Sequence, residues 1–294
     1  PGCSEYSLCR RLSFSKEPPP LLCTAYVQKW WGVSLCYNVE MRRYILLVLL
    51  GLAFASWAAW GYVLEGSGLK VTFFDVGQGD AIFIETPQGH QILIDGGPVR
   101  QLVAEKVGKT LPFWDKSLDL IVLTHPDADH ITGLVGVLEQ YKVENVLWTG
   151  VVKDTNIFRT WENALGKEGA RIVLARAGQK LVWSRDSANA FMEILHPESP
   201  IFSRTKSGFD GATNDTSIVS KLVFGSHSLL FTGDITKAVE QKLVSQGINL
   251  RADVLKVPHH GSKYSSSEAF LAAVSPNTAV IQVGVKNSYG HPTE

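Results

Sequence analysis

Four side chains of metal-binding type fall within six residues, in Thr124-His125-Pro126-Asp127-Ala128-Asp129-His130, directly after the mostly apolar run Leu118 to Leu123. A short apolar run bounded by polar residues reads as a buried strand, so these ligands stand in the loop at its end. His125 and Asp127 alternate as the chain leaves the strand and can share one side, whereas the adjacent Asp129 and His130 can face a second centre. Two divalent ions about 4 Å apart can be served in this way, the arrangement of metal-assisted hydrolysis.

Such a site needs further ligands, and the sequence offers them at the ends of other apolar runs. Ser228 to Asp234 reads as a short strand ending in Gly233-Asp234, and Val254 to Ser262 as one ending in His259-His260-Gly261. Asp95 follows the run Gln91 to Ile94 within Ile94-Asp95-Gly96-Gly97. Each is a strand end with a polar residue beside a small one, and glycine there lets the backbone turn sharply or approach a ligand closely.

The ordered set Asp95-Gly96-Gly97, His125-x-Asp127-x-Asp129-His130, Thr232-Gly233-Asp234 and His259-His260-Gly261-Ser262 resembles the metallo-β-lactamase fold superfamily. Phe74-Asp75-Val76-Gly77-Gln78-Gly79-Asp80-Ala81 and Asn287-Ser288-Tyr289-Gly290-His291-Pro292 look like its ComEC-type hydrolase domains of DNA uptake, over roughly residues 69 to 294. The resemblance implies an α/β (α+β) chain folded as a four-layer αβ/βα sandwich with the metals at one edge. The coarse pattern agrees: strands at 70 to 75, 81 to 85 and 91 to 94, a helix from Ile131 to Tyr141 that Gly133 and Gly136 weaken, and alternating elements beyond. Asn156 to Lys167 reads as an amphipathic helix, Arg171 to Leu174 and Phe191 to Leu195 as strands, and Pro197 to Thr213 as a loop.

Roles follow from the resemblance residue by residue. His125 and Asp127 would bind a first metal, Asp129 and His130 a second, and Asp234 would bridge them. His259 or His260 would complete the second site. Asp95 and Asp80 would support the ligands from behind. His291 would donate a proton to the leaving oxygen or hold the scissile phosphate, unless it is an ordinary turn residue. The resemblance carries two departures: Asp127 stands where most members have a histidine, and Asn214-Asp215-Thr216-Ser217 stands where a third histidine is usual. Asn214 or Asp215 could ligate a metal or contact substrate. A carboxylate in place of an imidazole brings manganese into consideration beside zinc for the two divalent ions. It also favours phosphodiesters over lactams.

Formal net charge is zero, so there is no global basic footprint of a tight nucleic-acid binder. Lys153, Arg159, Lys167, Arg171, Arg176, Lys180, Arg185, Arg204, Lys206 and Lys221 are interleaved with acids and read as a solvated face. Tyr44 to Leu64 passes about 21 residues without a charge, after Arg42-Arg43; at about 1.5 Å per residue that spans a bilayer core of about 30 Å. Residues 41 to 66 are therefore expected to be a transmembrane anchor or a signal peptide, with the hydrolase domain, 67 to 294, outside the cytoplasmic membrane. Residues 1 to 40 hold all four cysteines, Cys3, Cys9, Cys23 and Cys36, and read as a disordered tail or upstream sequence ahead of Met41. The resemblance also leads one to expect a final helix beyond Glu294.

The expected activity is that of a nuclease or phosphodiesterase acting on DNA, single-stranded DNA above all, anchored or secreted beside a separate uptake channel. The alternatives are hydrolysis of a lactam, thioester or small phosphodiester, and a non-catalytic module of a DNA-uptake complex. Gly77-Gln78-Gly79 is followed by Ile82 where a dinucleotide turn needs a small residue, and no Gly-x-Ser-x-Gly elbow occurs. Trp148, Trp161 and Trp183 read as core.

Overall fold

The computed structural model describes residues 39–65, 68–183, 190–201 and 213–293, with side chains on the first helix described over 41–57. That helix, α1 (Val39–Glu65), carries the apolar run. Among the described residues no helix is long and apolar enough to cross a membrane. The four cysteines and most of the loop from Pro197 to Thr213 lie outside the described residues. The main body runs from Gly61 onward as a compact unit of its own.

Within it stand two six-stranded mixed sheets. The first runs in order β1 (Lys70–Phe73), β2 (Ile82–Glu85), β3 (Gln91–Ile94), β4 (Ser117–Leu123), β5 (Lys142–Trp148), β6 (Arg171–Leu174). The second contains β7 (Lys180–Val182), β8 (Ala190–His196), β9 (Val219–Phe224), β10 (His227–Phe231), β11 (Val254–Lys256) and β12 (Thr278–Val280), also neighbour to neighbour. β3 to β6 are parallel, as are β10 to β12, and the other pairings are antiparallel.

The two-residue period of a strand explains the layering. In β2 and β3, Ile82, Ile84, Ile92 and Ile94 face the second sheet, while Phe83 and Leu93 face the helices. Those helices are α2 (Leu102–Thr110), α3 (Ala128–Leu138) and α4 (Asn156–Glu168). Across the second sheet, Val219, Leu230 and Leu255 pack with α5 (Lys237–Ser245) and α6 (Glu268–Val274). Helices thus cover the outer face of each sheet, giving the expected four layers. α4 shows the local logic: Thr155 accepts a hydrogen bond from the Phe158 amide at its start, and Gly169 ends it in a left-handed turn. Phe158, Trp161 and Leu165 are buried on one stripe, each contributing about 1.5–3 kcal/mol by leaving water.

α3 begins three residues earlier than the apolar period indicates, so Asp129 and His130 fill its first turn. Gly133 and Gly136 sit inside it because a Cβ at either would collide with the backbone carbonyl of Gly96 or Arg100. They mark a close approach of loop to helix rather than a weak helix.

Candidate metal centre

All the strand ends that carry polar residues meet at one edge. Asp95 follows β3, His125 follows β4, Asp234 follows β10, and His259-His260 follow β11; Asp80 precedes β2 and Ser217 precedes β9. Ligand atoms of Asp129, His130, Asp234 and His260 lie within 4.8 Å of one another. His130, Asp234 and His260 are shut from solvent, and only Asp129, its side chain 30% exposed, reaches the rim.

The rings are aimed from behind. Asp95, fully buried, accepts from the Thr124 amide (2.8 Å), the Thr124 hydroxyl (2.6 Å) and His130 Nδ1 (2.8 Å). That fixes His130 with Nε2 turned towards Asp234 Oδ2, 3.3 Å away. His260 Nδ1 donates to the Gln282 carbonyl (2.8 Å), which turns its Nε2 to Asp234 Oδ2 (3.1 Å) and Asp129 Oδ2 (3.4 Å). In the neutral tautomer both Nε2 atoms present lone pairs to carboxylate oxygens, and a lone pair facing an anion requires a cation between them. Two imidazoles and two carboxylates suit zinc or manganese, so the donor set fits a divalent ion.

Titration follows the same field. Burial disfavours a charged His130, yet Asp234, Asp95 and Asp129 hold its pKa well above the ordinary value. Burial likewise works against His260, but Asp234 and its contacts with Asp129 push it up to about 9. His125 goes the other way, to about 4, through burial and then its neighbour His130. Burial opposes ionisation of Asp129 and Asp234, but His130 and His260 hold both below the usual carboxylate range. The cluster takes up positive charge, as a proton or as a metal.

Residues 74–188 and 201–285 match the family described as the metallo-beta-lactamase superfamily. The chain belongs to that superfamily. It is 34% identical over 243 residues to ComE operon protein 3 of Bacillus subtilis (strain 168), a match covering 76% of this chain and 29% of that protein. It is also 34% identical over 260 residues to competence protein ComA of Neisseria gonorrhoeae, covering 85% of this chain and 33% of that protein. These are relatives of the ComEC type, and the chain spans about a third of their length or less. Among solved structures it is similar to Igni18, a metallo hydrolase of Ignicoccus hospitalis, at 19% identity, TM-score 0.45, covering 73% of this chain and 82% of that one.

The metallo-β-lactamase motifs do not all converge as expected. Of the two adjacent histidines, His260 joins the cluster, whereas His259 is partnered by the Asn214 amide, 3.2 Å from its Nε2. The expected first-metal pair is divided. Asp127 gives its carboxylate to Lys153 (2.7 Å) and Thr213 (2.6 Å), while His125 keeps a buried Nε2 with no partner. Thr124, already donating to Asp95, accepts from His125 Nδ1 at 3.1 Å, which leaves that Nε2 as a lone pair. Asp215 is not at the cluster; it accepts from the Thr236 hydroxyl at 2.5 Å. His291 stands at the rim, its ring 5.8 Å from that of His259, and burial and His259 lower its pKa.

Asp80 lies behind the cluster, and its main partner is one that nothing in the sequence marks. Lys256 is fully buried and bonds Asp80, the Gly233 carbonyl (3.0 Å) and, more loosely, Asp234 Oδ1 (3.5 Å). Burial disfavours its charge, yet Asp80 and Asp234 hold the ammonium above the usual lysine value. Lys153 and Lys221 also leave the expected solvated face: Lys153 binds Asp127, and Lys221 bonds the Asn249 carbonyl at 3.2 Å. Trp161 is fully buried, and Trp148 and Trp183 pack against core clusters, as expected.

Proposed function

We propose that this chain is a divalent-metal-dependent phosphodiesterase acting on DNA. The observation that carries the reading is the cluster Asp129, His130, Asp234 and His260, closed on three sides and open at Asp129. Relatives named for competence favour DNA as the substrate class. A divalent ion held by the cluster would lower the pKa of a water to about 7 and polarise a phosphoryl oxygen. Asp95 and the Gln282 carbonyl hold the two imidazoles with Nε2 forward. At the rim His291, its pKa lowered by burial and by His259, offers its ring for an oxygen of the phosphodiester.

We take residues 67 to 294 as the hydrolase domain and the run Tyr44 to Leu64 as an anchor or signal placing it outside the cytoplasmic membrane, beside a separate channel. Fractionation of the tagged chain, with protease added to intact cells, tests that placement.

Residues 67 to 294 should be assayed with manganese and with zinc against single-stranded DNA, bis-p-nitrophenyl phosphate and nitrocefin. Metal-dependent cleavage of the first two, lost in Asp234→Ala and His260→Ala, supports the reading. Nitrocefin turnover alone would transfer it to lactams, and binding of DNA without turnover would leave a non-catalytic module.

A further inference from the structure

We infer that this chain holds one divalent ion, with the Lys153 ammonium standing in the place of a second. The inference rests on the metal-hydrolase reading above and concerns the residues beside the cluster. Asp127 occupies the N-cap position of α3, with extended backbone, yet its side chain caps nothing. Its Oδ1 is instead the meeting point of two donors from outside the helix. Lys153 Nζ comes from the segment between β5 and α4 at 2.7 Å, and Thr213 Oγ1 from the 3-10 turn Thr213–Thr216 at 2.6 Å.

Other described groups near the cluster are also engaged: Asp80 and Asp95, which converge with His130 as a second trio, hold Lys256 and Thr124. Asn214 bonds His259, and Asp215 bonds Thr236. Beside the cluster His125 offers a buried, unpartnered nitrogen, its ring 4.1 Å from that of His130, and Asp234 Oδ1 also has no hydrogen-bond partner; with Asp127 engaged, these are only two. Protein sites for such ions draw on three or more ligands. Among the described residues, neither His125 nor Asp127 belongs to a converging ligand group. A divalent ion bound by Asp127 would also have to displace or face the ammonium already bonded to it. Lys153 is thus a positioning residue. It holds Asp127 away from metal and keeps one fixed positive charge beside the cluster.

The test counts ions. The chain, stripped with a chelator, is titrated calorimetrically with manganese and with zinc, and bound metal is measured by mass spectrometry after desalting. One ion per chain is expected for the wild type and for Lys153→Arg, which retains the charge. Lys153→Met should bind a second ion through His125, the freed Asp127 and the unpartnered Asp234 Oδ1, and adding Asp127→Asn should return the count to one. Circular dichroism checks the fold of each variant, and the partly exposed position of Lys153 makes Met tolerable there. Two ions of similar affinity in the wild type, or a single ion in Lys153→Met, would overturn the inference while leaving the hydrolase reading in place. A wild type that binds none would remove both.

Discussion

Raising the pH of the metal-free protein should destabilise it through His260. Burial works against the charge on this ring, but Asp234 and Asp129 push its pKa from 6.5 up to about 9 in the folded chain. The folded state therefore binds this proton more tightly than the unfolded one. The stabilisation is fully present below 6.5, declines as pH rises, and is lost above about 9. At about 1.4 kcal/mol per pH unit, the shift amounts to about 3 kcal/mol. His130, held above its ordinary value by the same carboxylates, adds to the slope. His125 leaves the window clear, because its pKa is near 4 and its contribution changes below 6.5. Urea denaturation of the chelator-treated chain, followed by circular dichroism from pH 6 to 10, would measure the loss. The metal-loaded chain should show a flatter profile, since the ion replaces the proton between the same oxygens. A flat profile in the metal-free protein, or an unchanged slope in His260→Gln, would refute the assignment of these carboxylates to a cation site.

Asp95→Asn removes the acceptor that orients His130 and should weaken metal binding by about 10–100-fold, measured by calorimetry. Lys256→Met leaves Asp80 and Asp234 buried without their counter-ion and should cost about 3–5 kcal/mol in urea denaturation of the metal-free chain. Gly133→Ala separates two arguments: helix propensity alone expects a gain of about 1 kcal/mol, whereas the collision with the Gly96 carbonyl expects a loss of about 1–3 kcal/mol. A lower thermal midpoint supports the close approach, and a higher one removes it.

The strand-end ligands were legible because each closes an apolar run whose period is local. What the sequence hid was pairing at a distance. Lys153 meets Asp127 from beyond β5, and Lys256 meets Asp80 from the opposite sheet, so nothing near either lysine in the chain marks it as part of the site. The start of α3 was hidden for a different reason: its first turn is occupied by ligands, whose polarity masks the helical period that begins at Ile131. α2 is not legible in the sequence because its buried stripe is only Val103, Ala104 and Val107, too short to declare a period. Of His259 and His260, chemistry alone cannot choose. Backbone direction does, by placing one ring against the Gln282 carbonyl and the other at Asn214.

That direction comes from an unusual backbone. Asp95, His259 and His260 all have left-handed φ, at 57°, 50° and 53°. For residues with a side chain this region costs about 1–3 kcal/mol each unless the surroundings hold it. The reason lies in the topology: the chain leaves β3 and β11 at the shared edge and must turn back at once to present a side chain to the same small volume. Glycine would turn at less cost but would bring no ligand. Asp and His are among the residues that enter this region most readily, so the same side chains meet the need for a tight turn and the need for an oxygen or nitrogen at the centre. The three hydrogen bonds accepted by Asp95 and the Nδ1 bond of His260 hold the turns in place. The ring of His259 is held by Asn214 and its amide donates to the Gly233 carbonyl at 3.2 Å, and it is the one of the three left at the rim, outside the ligand cluster and its supports.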